Sequence, residues 1–267
     1  MGYGHASEGT QHELEIAPLE GLRAVSIALN RPSTLNALSN ALLHDLIRCF
    51  EEIQWDRALR VVVLWGNGGR AFCSGSDIRE FKDAGPSEMR YHCHLQHRVQ
   101  RLIQTVPQIV IAGVHGYVLG GGLELALACD LRLSDESAVF GFPEVNLGGL
   151  PGGGGIWDLL RLVGVARSKE LLLCGDRISA TRALELGLIN RVVPKDEVRA
   201  ATIKMAETLC QKDAVSLASI KALVNRWAKA AEVEDILDYA AVSRCRTEGG
   251  LHEGMAGFGV KSHKLPQ

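Results

Sequence analysis

The chain has 267 residues, of which 46% are hydrophobic and 22% charged, and its formal net charge is -2. This balance is typical of an ordinary globular protein and gives no sign of a basic surface for nucleic acid. No apolar run reaches the roughly 18–20 residues of a membrane span, and the first residues lack a signal or transit pattern, so we expect a cytoplasmic protein.

Hydrophobic patterning predicts strands and helices in alternation over about the first 155 residues, which indicates an α/β core. The predicted strands are Leu14–Ala17, Val25–Leu29, Arg60–Trp65, the apolar run from Ile109 and Asp130–Ser134; the predicted helices are Asn40–Gln54, Ser87–Thr105 and Leu123–Cys129. From Ile156 onward strand signals nearly vanish, apart from Asn190–Val193. We expect the helical remainder to pack on the core or on a neighbouring subunit. Its predicted helices are Ile156–Val163, Ala166–Cys174, Ala180–Gly187, Glu197–Lys212, Val215–Ala230 and Glu232–Thr247.

The segment Ile109–Ala128 is the most informative part of the chain. Its apolar strand leads into three glycines, Gly120 to Gly122, which lie where a helix begins. Backbone N–H groups at a helix start lack partners and carry positive dipole, and glycine allows a ligand to approach them closely. Glu124 follows on an otherwise apolar helix, where a carboxylate is costly to bury without a partner. We interpret this turn as a place that holds negative charge and moves a proton.

A second junction between a strand and glycines contains Gly75 and Ser76. One N–H from each junction would form an oxyanion hole, although two tight turns that need glycine are the alternative. Glu144, after Phe142 and Pro143, is the second carboxylate in apolar surroundings. Paired carboxylates with different pKa values can act as general base and general acid. Taken singly, Glu124 is also explained as a charge at a helix start and Glu144 as a loop residue bonded to backbone.

Four other observations do not indicate a site. A GxGxxA sequence begins at Gly66, but a dinucleotide site requires a helix to begin inside it, and Phe72–Ser76 is expected to continue as a loop. His92, His94 and His97 share a predicted helix without a supporting carboxylate, so a solvated or subunit-facing helix is favoured over a metal site. A serine hydrolase is not favoured, since the chain has no GxSxG. The seven cysteines are scattered, which is typical of reduced thiols.

Four segments together resemble the enoyl-CoA hydratase/isomerase (crotonase) superfamily in order and spacing. They are AFCSGSDIREF, PQIVIAGVHGYVLGGGLELALACDLRLS, FGFPEVNLGGLPGGGG and GDRISATRALELGLINRVVP, and the likeness extends from about Leu22 to the EGMAGF segment. The resemblance implies an α/β fold in which a crotonase-like spiral of ββα units carries a C-terminal helical region. Residues 1–195 would form the acyl-CoA-binding core and residues 196–267 a helical trimerisation region, in a homotrimer or dimer of trimers.

The resemblance also implies roles for single residues. Ser76 and Gly121 would supply the N–H groups of the oxyanion hole, and Glu124 and Glu144 would be the catalytic pair. The implied substrate is an acyl-CoA thioester, with no metal and no cofactor beyond the coenzyme A of the substrate. The residues expected to bind substrate or coenzyme A are Ser74, Asp77, Ile78, Arg79, Gly120, Phe258 and Lys261.

Both glutamates together favour hydration of a 2-enoyl-CoA, because isomerases of this superfamily typically lack the first. Two alternatives stay open. The first is another enzyme that acts on CoA thioesters, such as an isomerase, or a hydratase or lyase for an unusual acyl group. The second is a catalytically silent relative with a binding role. Phe142, the segment 156–158 and Ser262 depart from residues common in the superfamily. These departures predict a specialised acyl pocket and an altered contact to coenzyme A.

Overall fold

The computed structural model describes residues 13–228, and the bounds of the strands and helices are given within that range. The strands are β1 (Leu14–Pro18), β2 (Ala24–Leu29), β3 (Val61–Gly66), β4 (Ala71–Cys73), β5 (Ile109–Val114), β6 (Tyr117–Leu119), β7 (Leu131–Asp135), β8 (Val139–Gly141), β9 (Arg177–Ser179) and β10 (Arg191–Val193). The helices are α1 (Asn40–Ile53), α2 (Pro86–Thr105), α3 (Gly121–Ala128), α4 (Gly155–Cys174), α5 (Ala180–Glu185), α6 (Val198–Cys210) and α7 (Ala214–Ala228).

The larger sheet has six strands in the order β1-β2-β3-β5-β7-β10. Only the β1–β2 pair is antiparallel, and the other neighbours are parallel. Every residue of β3 is buried, with Val62 and Leu64 in one hydrophobic core and Val61 and Val63 in the core on the other face. A parallel strand covered on both faces needs apolar side chains throughout, which explains its continuous run of valines.

The smaller sheet has the order β4-β6-β8-β9, and each of its strands is three residues long. The strands β4, β6 and β8 are parallel, and β9 closes the sheet antiparallel to β8. The strands β4, β8 and β9 were not predicted. Tyr117–Leu119 was predicted as the end of one apolar strand from Ile109, which the structure divides into β5 and β6. Residues Phe72–Ser76 were expected to continue as a loop, and that expectation is wrong for Phe72 and Cys73, which belong to β4. Three residues are too few for a period of two to emerge.

The two sheets are connected by a repeated ββα unit. In each repeat a strand of the larger sheet is followed by a strand of the smaller sheet and then by a helix, as β3–β4–α2, β5–β6–α3 and β7–β8–α4. Successive repeats add neighbouring strands to both sheets, so the chain advances as a spiral. The predicted α/β fold with a spiral of ββα units is confirmed.

Helices dominate the described residues after Ile156. The helix α4 contains a break at Gly164, whose φ of 76° is not helical, so the two helices predicted over this stretch are confirmed. The helix α6 covers the outer face of the larger sheet, where Val198 and Ala206 join the core around Val63. Among the described helices, none has the length and apolar character needed to cross a membrane. The division into residues 1–195 and 196–267 stays a prediction, and the helix predicted over Glu232–Thr247 lies outside the described residues.

Candidate active site

Three parallel strand ends of the smaller sheet position the candidate site. The strand β4 leads into Ser74–Ser76, β6 leads into Gly120 and Gly121, and β8 leads into Phe142–Glu144. Because parallel strands have their carboxyl ends at the same edge, these three segments emerge side by side. The sheet that sequence patterning missed therefore gathers the residues that the resemblance singled out.

The two glycine junctions lie in direct contact. A Cβ built on Gly75 would lie 3.5 Å from the Gly121 nitrogen and 3.1 Å from the Leu119 oxygen, and Gly75 has a φ of 106°. Both the close approach and the left-handed backbone explain why glycine is required there. Within residues 13–228, neither the Ser76 N–H nor the Gly121 N–H donates to another protein group. Gly121 is the first residue of α3, where helical N–H groups have no partner in the helix.

Glu124 is buried and its charge is compensated by the backbone. Its side chain lies in the first turn of α3 and the residue is 1% exposed. Its Oε1 accepts hydrogen bonds from the N–H groups of Gly153, at 3.0 Å, and Gly155, at 2.8 Å. A Cβ on Gly155 would lie 2.3 Å from Cγ of Glu124, so the glycine run lets the backbone approach the carboxylate. Such charge-assisted hydrogen bonds stabilise the ionised carboxylate.

Glu144 is in a contrasting environment. It lies in the 3₁₀ turn Pro143–Leu147 after β8, and its Oε1 lies 2.5 Å from where a Cβ on Gly120 would be. Its Oε2 is buried and has no hydrogen-bond partner among the described residues. Burial and, to a smaller extent, the negative charge of Glu124 raise the pKa of Glu144 from 4.5 to about 8. The carboxyl group of Glu144 therefore holds a proton at neutral pH, whereas Glu124 is supported as an anion.

A hydrogen-bond network stands behind Ser76. Its Oγ lies 3.0 Å from Nε2 of His92 and accepts a hydrogen bond of 3.0 Å from Nε2 of Gln96. Nδ1 of His92 lies 2.9 Å from Oδ1 of Asn40, which begins α1. The prediction of a solvated or subunit-facing histidine helix is wrong for His92, because this side chain is 2% exposed and faces the site.

The segment after the first junction is held by charge. Asp77 accepts hydrogen bonds from Arg31 at 3.0 Å and Arg79 at 2.6 Å, and the bond from Arg79 contributes most to lowering the pKa of Asp77 to about 2. The Arg79 side chain is 63% exposed and Ile78 is half-buried, so both are accessible to a ligand. Ser74 is also half-buried, beside Gly75. Phe258 and Lys261 lie outside the described residues.

Sequence reasoning missed Asn40, His92 and Gln96. The signal was present in part, since His92, Gln96 and Gln100 recur at four-residue spacing along α2 and are all buried. Polar side chains on a buried helical face require partners, and here those partners belong to the site. Among the described residues, no group of three or more His, Cys, Asp or Glu side chains is placed to hold a metal ion. No helix begins in the GxGxxA sequence, which runs into β4 instead.

The chain is similar in sequence and structure to enoyl-CoA hydratases. The profile of the enoyl-CoA hydratase/isomerase family matches residues 23–262. A short-chain-enoyl-CoA hydratase of Clostridium acetobutylicum is 38% identical over 207 residues, which cover 78% of this chain and 79% of that protein. A probable mitochondrial enoyl-CoA hydratase 2 of Arabidopsis thaliana is 35% identical over 246 residues, covering 90% and 80% respectively. The crystal structure of an enoyl-CoA hydratase from Bacillus anthracis superposes with a TM-score of 0.79 at 33% identity, covering 92% of this chain and 96% of that chain.

Proposed function

The chain belongs to the enoyl-CoA hydratase/isomerase family, and from this premise we propose that it adds water to a 2-enoyl-CoA to form a 3-hydroxyacyl-CoA. One observation carries the proposal: an anchored carboxylate, Glu124, and a carboxyl that holds its proton, Glu144, lie beside two backbone N–H groups that have no partner within residues 13–228. Hydration needs one group that accepts a proton from water and another that donates a proton to carbon. The difference between the two glutamates supports that division of labour.

The backbone N–H groups of Ser76 and Gly121 bind the thioester oxygen in the proposed mechanism. Electron density moves onto this oxygen when water attacks Cβ, so the two hydrogen bonds strengthen as the enolate forms. Donors already oriented toward the developing charge accelerate the reaction because they need not reorganise. The first residue of α3 supplies one donor, and the helix dipole adds to the positive potential there.

The two glutamates move the protons. The Glu124 carboxylate accepts a proton from water as the oxygen bonds to Cβ, and the Glu144 carboxyl donates its proton to Cα as the enolate collapses. The net change is the addition of one water molecule across the double bond. Proton transfer from Glu124 to Glu144 then restores the starting state. The mechanism uses acid, base and hydrogen-bond donors, and no cofactor takes part in it.

The remaining assignments to substrate and assembly are also proposals. The exposed Arg79 guanidinium, held beside Asp77, is suited to a negatively charged part of coenzyme A. A homotrimer or dimer of trimers is supported by exposed apolar side chains on α7, namely Val215, Ile220, Leu223 and Val224. The cytoplasmic location stays a prediction.

The proposal is tested by the hydration of crotonyl-CoA and longer 2-enoyl-CoAs. We expect turnover by the wild type and a loss of about 10²–10⁴-fold in kcat for Glu124→Gln and Glu144→Gln. The matched control is Glu136→Gln, since Glu136 is exposed and outside the site. Retention of 3-enoyl to 2-enoyl isomerisation by Glu124→Gln would separate the two roles. Failure of the folded wild type to hydrate any enoyl-CoA would overturn the proposal.

A further inference from the structure

A buried polar stripe on α2 has no part in the mechanism described so far. His92, Gln96 and Gln100 are 2%, 3% and 6% exposed, and their four-residue spacing places them on one helical face. This face points toward the backbone of the candidate site. Buried polar groups are costly unless they form hydrogen bonds, so their partners indicate what the stripe does.

The hydrogen bonds at His92 have one consistent direction. The Asn40 Oδ1 atom accepts, so Nδ1 of His92 carries the proton and Nε2 is left as an acceptor. The Ser76 hydroxyl therefore donates to Nε2, and it accepts from the amide of Gln96 at the same time. The direction of the Ser76 side chain is thus fixed from two sides by residues of α2, and through His92 by the start of α1.

Gln96 also contacts the second half of the oxyanion hole. A Cβ built on Gly121 would lie 2.5 Å from Nε2 of Gln96 and 3.3 Å from Oγ of Ser76. The Oε1 atom of Gln96 lies 3.0 Å from where a Cβ on Gly153 would be, and the Gly153 N–H binds Glu124. One amide side chain therefore packs against both donor segments and against the backbone that anchors the catalytic base.

We propose that His92 and Gln96 are positioning residues of the oxyanion hole, acting through the Ser76 hydroxyl. They hold Ser76 so that its N–H and that of Gly121 converge on one thioester oxygen. This inference rests on the proposed hydration. A misplacement of about 1 Å can cost on the order of 100-fold in rate, so side chains that fix this backbone have a large effect without touching the substrate.

The Ser76 hydroxyl lies next to the His92 imidazole, which in turn contacts the Asn40 amide. Serine nucleophile sites contain a similar series of hydroxyl, imidazole and a third polar group. An efficient general base has a pKa near the working pH. Burial lowers the pKa of His92 to about 4, so this imidazole is a poor base for activating a hydroxyl. The Ser76 hydroxyl also accepts from Gln96, which restrains it further. The network is therefore suited to orientation and not to acyl transfer.

The test is a double-mutant cycle on crotonyl-CoA hydration, using Ser76→Ala, His92→Leu and the double variant. Ser76→Ala keeps the backbone N–H and removes the hydroxyl. We expect each single variant to lower kcat by about 10- to 100-fold with little change in KM, because positioning acts in the transition state. Since His92 acts through the hydroxyl, the double variant should match Ser76→Ala. His92→Gln should regain part of the loss, and the matched control His94→Leu, at an exposed position of α2, should match the wild type.

The second readout does not depend on turnover. The ¹³C resonance of the thioester carbonyl in bound [1-¹³C]butyryl-CoA reports polarisation by the hole. We expect a downfield shift in the wild type and a smaller shift in Ser76→Ala and His92→Leu. An unchanged kcat and carbonyl shift in folded His92→Leu, or losses that multiply in the double variant, would overturn the positioning role. A wild type that shifts the carbonyl without hydrating any enoyl-CoA would overturn the proposed hydration alone.

Discussion

The two sheets of this protein differ in what their sequences reveal and in what they position. The larger sheet consists of buried apolar strands such as β3 and β5, and it forms the centre of both large cores. The smaller sheet consists of three-residue strands, and three of its strand ends carry the residues of the candidate site. Substitutions in the larger sheet should therefore affect mainly the stability of the fold, and substitutions at the strand ends of the smaller sheet should affect mainly the catalytic activity.

The largest effect on activity is expected where the smaller sheet meets α3. A Cβ at Gly122 would lie 2.3 Å from the Cys73 oxygen and 2.7 Å from the Cys73 Cβ, both in β4. Gly122→Ala must therefore separate α3 from β4 and with them the two oxyanion donors. We expect kcat/KM for crotonyl-CoA to fall by about 100-fold or more. The control is Gly69→Ala, where a Cβ would meet nothing within 4 Å. Full activity in Gly122→Ala would contradict a functional role for this contact.

The opposite pattern is expected in the larger sheet. Ile27 in β2 is fully buried in the core that contains α1. Ile27→Ala should lower the free energy of unfolding by about 2–5 kcal/mol through lost burial and a residual cavity. Denaturant titration measures this loss, and kcat/KM of the folded enzyme should be close to that of the wild type. A large drop in kcat/KM without a change in stability would argue against the separation of the two regions.

The pH dependence tests the state of Glu144. Hydration needs the protonated carboxyl, and the pKa of this group is about 8 in the free protein. We therefore expect kcat/KM for hydration to decline by about tenfold per pH unit above about pH 8, because the acid form is lost there. Dehydration of the 3-hydroxyacyl-CoA begins with the proton on Glu124 instead of Glu144, a state with the same total number of protons. Its kcat/KM should therefore decline in parallel, because hydration takes up no net proton and its equilibrium constant does not depend on pH. If the residual kcat/KM of Glu144→Gln declines above pH 8 as it does in the wild type, a group other than Glu144 is responsible for the decline.

The smallest effect is expected at the edge of the site. Arg79 is largely exposed and pairs with Asp77, and the resemblance assigns this segment to coenzyme A binding. Arg79→Ala should raise KM for acyl-CoA severalfold with kcat little changed, because an exposed charge contributes only modestly to binding. Arg98→Ala is the matched control, because Arg98 is an exposed arginine paired with Glu51 away from the site. If Arg79→Ala and Arg98→Ala have equal KM values for acyl-CoA, Arg79 does not contact the substrate.

Sequence reasoning worked where patterns were long or carried glycine. The strand β3 and the amphipathic helix α1 were predicted to within about one residue, and the start of β5 at Ile109 was also predicted, because burial imposes a continuous apolar run or a clear period. Glu124 and Glu144 were found because a carboxylate among apolar residues is conspicuous. Ala71–Cys73 and Val139–Gly141 were missed because three residues are too few to show alternation, and Tyr117–Leu119 was predicted as a continuation of the strand from Ile109.

The support behind the oxyanion donors could not be predicted for a different reason. His92 and Gln96 bond to Ser76 across separations of 16 and 20 residues, and no local pattern specifies which helix face meets which loop. The three histidines of α2 look alike in sequence, yet His92 is buried and His94 is exposed. Only the packing of α2 against α1 and α3 distinguishes them.

A crystal structure with bound butyryl-CoA, which has no double bond to hydrate, tests the central claim most directly. We expect the thioester oxygen to lie about 2.7–3.2 Å from both the Ser76 and the Gly121 nitrogen, with Cα facing Glu144 and Cβ facing Glu124. A thioester oxygen that binds away from either nitrogen, in a complex with ordered acyl-CoA, would contradict it.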